Sequence, residues 1–217
     1  MNPIRKPFRY AYFNASLTVI ALNVLVFVLT MLRPSLTGRL GISAAGLIGE
    51  RWFWQPLTYM FVHGGFQHIF FNMLALLFFA IPIERKVGSW EFLLYYLLCG
   101  VLNGLLSVGL AYLMLIIFGN PLYLYVPLIG ASGAVYSVLL AYAVFFPRST
   151  IYIWGILPVP APLLIVIYFV IEFVGQFTDS GGTAHFAHLF GLMIGWAYIV
   201  IRMGIHPVRV WKDAYRR

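Results

Sequence analysis

Long apolar runs, separated by short polar links, constrain what this chain can fold into more than any other feature. Only 9% of the 217 residues are charged, whereas a soluble domain carries about a quarter. Because so few charges cannot keep the surface of such a chain in water, a membrane protein is predicted. Compared with a hydrocarbon core of about 30 Å, the runs predict six spans. They are residues 16–32, 66–83, 90–118, 132–146, 151–175 and 185–202.

The predicted fold is an all-α membrane protein, a bundle of six transmembrane helices. At about 1.5 Å per residue, the fourth span is too short to cross the core, so its helix is expected to start inside the bilayer. One domain suits a chain of this length. We predict a cytoplasmic N-terminal segment over 1–16, a six-helix membrane domain over 17–203 and a basic cytoplasmic tail over 204–217.

Basic residues predict the orientation of the bundle. With the N-terminus inside, eleven Lys and Arg residues fall on the inner side and three on the outer side. The inner ones are Arg5, Lys6, Arg9, Arg85, Lys86, Arg148, Arg202, Arg209, Lys212, Arg216 and Arg217, and the outer ones are Arg33, Arg39 and Arg51. Cytoplasmic segments carry the positive excess, so both termini are predicted to be cytoplasmic. Charges spread between apolar runs indicate contact with membrane lipids and no binding of nucleic acid.

Polar residues at the start of three spans are the candidates for function, because polar groups are costly inside a membrane. They are His63, His68 and Asn72 at the second span, Ser132 at the fourth, with Gly130 and Gly133 beside it, and His185 and His188 at the sixth. Four of them stand about 20 to 26 Å above the basic residue at the inner end of their helix: Ser132, His188, His68 and Asn72. We therefore expect these four in one layer, in the outer half of the bilayer.

Ser132 and His188 form the predicted catalytic pair. A serine hydroxyl is a poor nucleophile unless a neighbouring base takes its proton, and His188 is the candidate base. No carboxylate is expected at this depth, and Glu172, the nearest, has no evident partner, so a Ser–His dyad is predicted. The candidate oxyanion donors are the backbone N–H of Ser132, the His68 imidazole and the Asn72 amide.

Small residues recur at every fourth position on two of the spans. They are Gly191 and Gly195 on the sixth, and Gly133, Ser137 and Ala141 on the fourth. Such residues let helices approach closely, which would bring Ser132 within hydrogen-bond reach of His188. Tyr136, one turn below Ser132, is predicted to rest against the imidazole ring.

Simpler interpretations of these residues stay open. Taken alone, Ser132 is a small residue at a helix interface. His68 and Asn72 can instead bond backbone carbonyls, and His63 either holds the loop after the first span or belongs to the site. The histidine spacing fits no zinc pattern, so no metal and no other cofactor are predicted.

From about residue 50 to residue 200, the sequence resembles the rhomboid family of intramembrane serine proteases. The G-x-S-G motif runs from Gly130 to Gly133, the H-x-x-x-N motif from His68 to Asn72, and His188 precedes a G-x-x-x-G motif. The resemblance implies a six-helix rhomboid core that cleaves transmembrane protein substrates near their outer ends. It also implies that Tyr136 stacks on the base and that Phe71 belongs to a substrate gate near the fifth span.

The sequence thus predicts a multi-pass serine endopeptidase that acts within or near the outer half of the bilayer. Without a targeting extension, the plasma (inner) membrane of a prokaryote is the expected location. His185, an additional histidine ahead of the motif, is not predicted to be the base. The alternative is a non-proteolytic rhomboid-like protein that binds transmembrane clients. A small transporter is less favoured, because the two halves show no repeat.

Overall fold

Helices make up most of the computed structural model, which describes residues 5–6, 8–153, 155–178 and 182–216. The α-helices are α1 (Ala15–Leu32), α2 (Ser35–Leu40), α3 (Gln55–Thr58), α4 (Phe66–Ala75), α5 (Ile81–Val87), α6 (Ser89–Phe118), α7 (Ser132–Phe145), α8 (Ala161–Thr178), α9 (Gly182–Ile201) and α10 (Pro207–Tyr215). Two π-helical turns cover Ala45–Gly49 and Leu76–Ala80, and two 3-10 turns cover Tyr59–Phe61 and Pro121–Leu124.

Within this described part, five helical stretches are long and apolar enough to cross a membrane. They are Ala15–Leu32, Phe66–Val87, Ser89–Phe118, Ala161–Thr178 and Ala184–Ile201. The second of them joins α4 to α5 through a π-helical turn. The chain is therefore an integral, multi-pass membrane protein. Helix α7 is apolar but has only 14 residues, so the sixth crossing stays a prediction.

The predicted fifth span is wrong over residues 151–160. Within that range, residues 151–153 and 157–160 belong to an antiparallel pair of strands, β1 (Thr150–Ile153) and β2 (Leu157–Pro160), in which Thr150 pairs with Pro160. Proline lacks the N–H donor that a helix interior needs, and residues 158 and 160 are both proline. Apolar periodicity alone does not separate a short buried strand from a helix. The predicted fifth span therefore starts ten residues before α8 begins at Ala161.

Helix α7 lies at the centre of the bundle and touches α9 backbone to backbone. A methyl group at Gly191 would lie 2.1 Å from the carbonyl oxygen of Gly133, and one at Gly195 would lie 2.8 Å from the Cβ atom of Ser137. Both distances are below 3.0 Å, and Cβ atoms essentially never lie so close to a non-bonded atom. The glycines on α9 therefore set how closely the two helices pack, along the face that the small-residue spacing predicts.

Two buried carboxylates join helices at the end of the bundle away from Ser132. Glu84 of α5 accepts hydrogen bonds from the backbone N–H groups of Ala15 (2.6 Å) and Ser16 (2.9 Å), and from the hydroxyls of Ser16 and Ser89 (2.5 Å each). An anion at this position satisfies N–H groups that the first turn of α1 leaves without helical partners. Glu84 therefore fixes the start of α1 against α5 and α6.

Glu91 makes the equivalent connection between α6 and the end of α9. Its Oε1 accepts a hydrogen bond from the Tyr198 hydroxyl at 2.6 Å, and its Oε2 lies 2.9 Å from Nη2 of Arg202. The guanidinium Nε also donates to Oε1 at 3.1 Å. The guanidinium thus donates to both carboxylate oxygens, and the phenol donates to one of them.

Candidate active site

The chain that leads into Ser132 is fixed by backbone hydrogen bonds to the segment between α1 and α4. Leu128 and Ile42 exchange both of their backbone bonds, at 2.7 and 3.0 Å, and Gly130 N–H donates to the carbonyl of Tyr59 at 3.0 Å. Gly130 has a φ of 117°, in the region that favours glycine. These contacts set the point at which α7 begins with Ser132.

The two histidines ahead of α4 pack against this turn. The ring centroids of His63 and His68 are 4.9 Å apart, and the backbone N–H of Ala131 points to Nε2 of His63 at 3.5 Å. Burial and the neighbouring His68 imidazole lower the pKa of His63 to about 4. The ring is therefore neutral near pH 7, so Nε2 is able to accept while Nδ1 faces the carbonyl of Phe61 at 3.3 Å. His63 holds the loop ahead of Ser132.

His68 and Asn72 share one face of α4, and both side chains also bond to nearby backbone. Gly64 N–H donates to Nδ1 of His68 at 3.4 Å, and the Asn72 amide donates to the carbonyl oxygen of His68 at 2.8 Å. A Cβ atom at Gly130 would lie 2.7 Å from Nε2 of His68. One N–H of Asn72 is used within α4, and its second N–H is a further donor at this face.

The structure brings Ser132 and His188 together across the α7–α9 contact. Oγ of Ser132 lies 2.8 Å from Nε2 of His188. The ring of Tyr136, one turn further along α7, stacks on the imidazole with centroids 4.4 Å apart and planes inclined by 4°. The nitrogen that faces the serine is thus fixed by a flat contact on one side and by the backbone contact of the two helices.

The pair opens onto a cavity of about 430 Å³, which His68 and Asn72 also line. Phe71 of α4, half exposed, and Tyr168 of α8 line the same space. Gln67 and Tyr168 are lining residues that the sequence did not indicate. Neither carries a charge or a motif, and only the packing of α4 and α8 around α7 reveals them.

Glu172 lies against the candidate base, so the expectation that no carboxylate reaches this depth is wrong. Its Oε1 is 3.0 Å from Nδ1 of His188, and its Oε2 is 2.6 Å from Nδ1 of His185. The Tyr136 hydroxyl donates to Oε1. The Glu172 side chain is only 6% exposed. His185, which is not predicted to be the base, shares this carboxylate with His188.

The hairpin between α7 and α8 accounts for the difference between the predicted and the observed height of Glu172. A span that started at residue 151 would lift Glu172 about 32 Å above its start, beyond the far edge of the hydrocarbon core. Helix α8 starts at Ala161, which puts Glu172 about 17 Å above the start. Ser132 and His188 stand about 20 Å from the inner ends of α7 and α9 by the same rise. All three residues consequently occupy one layer.

Comparison with known proteins identifies the relatives of the chain. A family model described as the Rhomboid domain matches residues 50–205. "Rhomboid protease GluP" of Bacillus subtilis (strain 168) is 33% identical over 125 residues, which are 55% of this chain and 22% of that protein. "RHOMBOID-like protein 12, mitochondrial" of Arabidopsis thaliana is 30% identical over 154 residues, 66% of this chain and 45% of that protein.

A shorter match is "Putative rhomboid protease YdcA" of Bacillus subtilis (strain 168), 33% identical over 94 residues, which are 43% of this chain and 41% of that protein. The matched region spans less than half the length of each of these three relatives. The resemblance that the sequence motifs indicate is confirmed.

Proposed function

This chain belongs to the rhomboid family, and on that premise we propose that it is an intramembrane serine endopeptidase. It cleaves transmembrane protein substrates within or near the outer half of the bilayer. Ser132 is the nucleophile and His188 the base of a Ser–His dyad. The observation that carries the proposal is the 2.8 Å contact between Oγ of Ser132 and Nε2 of His188.

The chemistry follows from this contact. Oγ of Ser132 attacks the carbonyl carbon of the scissile bond while Nε2 of His188 takes the hydroxyl proton. The resulting imidazolium gives that proton to the leaving amine as the C–N bond breaks, which leaves an acyl group on Ser132. Water then attacks the acyl carbon, loses a proton to His188, and the serine departs with that proton.

The negative charge that develops on the carbonyl oxygen needs fixed donors. The proposed donors are the backbone N–H of Ser132 at the start of α7, the His68 imidazole and the second N–H of Asn72. Their support is that Ser132, His68 and Asn72 all line the cavity beside His188. Loss of one such donor typically lowers kcat by about 10²- to 10³-fold.

The remaining predicted site residues support this arrangement. Gly130 makes the turn beside His68, Gly133 accepts the close approach of Gly191, and Gly195 packs on α7 one turn below. Tyr136 stacks on the base. His63 holds the loop ahead of Ser132.

Phe71 is proposed to gate substrate entry between α4 and α8. Its support is that Phe71 of α4 and Tyr168 of α8 line the same cavity from two helices. The side chain of Phe71 is 52% exposed, so it is able to move without disturbing the core.

The proposed topology has six crossings and two cytoplasmic termini. Helix α7 has 14 residues, or about 21 Å at the usual rise, so it reaches from the inner boundary to a serine below the outer surface. The membrane domain covers 17–203, between the segment 1–16 and the tail 204–217. A prokaryotic plasma membrane is proposed on the positive-inside distribution and the relatives from Bacillus subtilis.

Cleavage of a single-span reporter by the purified protein tests the proposal. Wild type is expected to cut the reporter and to be labelled by a fluorophosphonate, whereas Ser132→Ala and His188→Ala do neither. Ser137→Ala is the matched control, because Ser137 is a buried serine on the same helix whose hydroxyl bonds to Ala134. Cutting by Ser132→Ala at the wild-type rate contradicts the proposal. Binding of the reporter without cutting by wild type would favour the non-proteolytic alternative.

A further inference from the structure

Glu172 makes contacts that the Ser–His chemistry does not use. A carboxylate buried among apolar helices is unfavourable unless it is paired and hydrogen-bonded. Among the described residues, the titratable groups that face it are His188 and His185 of α9, Tyr136 of α7 and Tyr168 of α8. The partners on α9 and α7 are held at hydrogen-bond distance, so the carboxylate has a defined place and a defined orientation.

We propose that Glu172 is a positioning residue for the base and extends the dyad to a line Ser132–His188–Glu172. The inference rests on the proposed function of Ser132 and His188. Oε1 of Glu172 lies 3.0 Å from Nδ1 of His188, while Nε2 of the same ring lies 2.8 Å from Oγ of Ser132. The carboxylate therefore sits at the nitrogen opposite the one that takes the serine proton.

A carboxylate at this nitrogen does two things. It favours the neutral tautomer with the proton on Nδ1, which leaves the Nε2 lone pair directed at the Ser132 hydroxyl. It also stabilises the imidazolium that exists between proton uptake from the serine and proton delivery to the leaving amine. Glu172 does neither by touching substrate, so its effect passes entirely through His188.

The contact is close in distance but not yet aligned. Nδ1 of His188 is buried and has no well-aligned acceptor among the described residues, although Oε1 of Glu172 is within ion-pair distance. Hydrogen bonds of catalytic groups often tighten only when substrate is bound. A buried donor without an aligned acceptor is costly, and Oε1 is the anionic oxygen placed to receive it.

Two neighbours hold the carboxylate so that Oε1 faces the base. His185 engages the other oxygen, with Nδ1 2.6 Å from Oε2. The ring of His185 packs directly on the backbone of α8, since a Cβ atom at Gly175 would lie 2.6 Å from Cε1 of that ring. Tyr136 donates to Oε1 and stacks on His188 as well. The extra histidine is thus a support for the carboxylate and not a second base.

The competing explanation is that Glu172 only ties α8 to its neighbours. A purely structural tie would lower the fraction of folded protein but leave the rate of each intact site unchanged. A positioning role would lower kcat and the rate of serine labelling while KM stays close to wild type, because substrate binding does not involve Glu172.

The test compares Glu172→Gln, Glu172→Asp and Glu91→Gln with wild type, with rates expressed per site titrated by a fluorophosphonate. For Glu172→Gln we expect kcat to fall about 10- to 100-fold with KM within about twofold. This loss is smaller than the loss of about 10⁴-fold on the equivalent change in a soluble triad, because Nδ1 of His188 is not aligned with the carboxylate and Tyr136 still stacks on the ring. The labelling rate of Ser132 should fall in parallel. Glu172→Asp, which keeps the charge, should recover at least part of the loss.

Glu91→Gln is the matched control, since Glu91 is another buried carboxylate held by a tyrosine and a basic residue. It should lower thermal stability without changing the rate per site. An unchanged kcat per site in Glu172→Gln, or no recovery in Glu172→Asp, would overturn the inference. A wild-type rate in Ser132→Ala would overturn the proposed function instead, so the two failures are separable.

Discussion

Glu84 and Glu172 are both buried carboxylates on apolar helices, at opposite ends of the bundle, and their partners differ in kind. Glu84 is held by backbone N–H groups and serine hydroxyls, none of which changes protonation near neutral pH. Glu172 is held by two imidazoles and a phenol, and imidazole is the side chain that exchanges protons near neutrality. The partners of Glu84 therefore suit a structural contact, and the partners of Glu172 suit a site in which a proton is transferred.

Burial alone therefore does not distinguish a structural carboxylate from one that serves the chemistry. Structural ion pairs and active sites both bury charge. The distinction lies in what else the partners contact. His188 also contacts Ser132 and lines a cavity, whereas Ser16 and Ser89 lie in the first turns of α1 and α6. Three substitution experiments sharpen this contrast.

The largest effect is expected at Glu84. Glu84→Gln replaces a four-fold acceptor by an amide whose NH₂ group faces other donors, so the free energy of unfolding should fall by about 3 kcal/mol. Unfolding in detergent measures this loss. Glu50→Gln, at an exposed carboxylate, is the matched control and should be near neutral. A drop in rate per titrated site, with stability intact, would erase the contrast with Glu172.

A smaller effect is expected at Gly175. Gly175→Ala places a methyl group where the His185 ring packs, so it should displace His185 from Glu172 and lower kcat per site about tenfold, or about 1.4 kcal/mol. Stability should fall only slightly, because the higher helix propensity of alanine offsets part of the lost contact between His185 and Glu172. Gly109→Ala on α6, where a Cβ atom meets nothing within 4 Å, controls for helix propensity. Equal rates in both variants would show that His185 does not support Glu172.

The smallest effects are expected from removing one phenol at each end. Tyr198→Phe takes a hydrogen bond from Glu91 and should lower the free energy of unfolding by about 1 kcal/mol without changing kcat. Tyr136→Phe keeps the stacked ring but takes a donor from Glu172, so kcat should fall about threefold. Reporter cleavage and detergent unfolding of both variants give the comparison. A fall in kcat for Tyr198→Phe, with an unchanged kcat for Tyr136→Phe, would contradict the assignment of the chemistry to Glu172.

Much of the candidate site could be predicted because helical rise turns sequence position into height. Ser132 and His188 stand at nearly equal distances from the basic residues that end their helices, and Gly191 on α9 predicts the close approach that joins them. Both features depend only on residue types and on spacing along one helix, which can be read directly from the sequence. The 2.8 Å contact is the tertiary consequence.

Glu172 and Tyr168 could not be predicted in the same way. The apolar hairpin ahead of α8 has the hydropathy of a helix start, so the height of every residue on α8 was overestimated. Tyr168 has no charge and no motif, and it lines the cavity only because of the direction in which α8 faces. Rotation and offset of one helix against another come from packing, which spacing along a single helix does not contain.

The hairpin also makes the length of the connection before α8 independent of the number of residues between Ala161 and Glu172 on α8. An extra residue at its exposed turn, near Gly155 and Ile156, adds to a loop and leaves α8 where it is. An extra residue between Ala161 and Glu172 would swing the carboxylate by about 100° around the helix axis and away from His188. Tolerance to insertion should therefore change abruptly at Ala161, with a permissive connector on one side and a register that admits no added residue on the other.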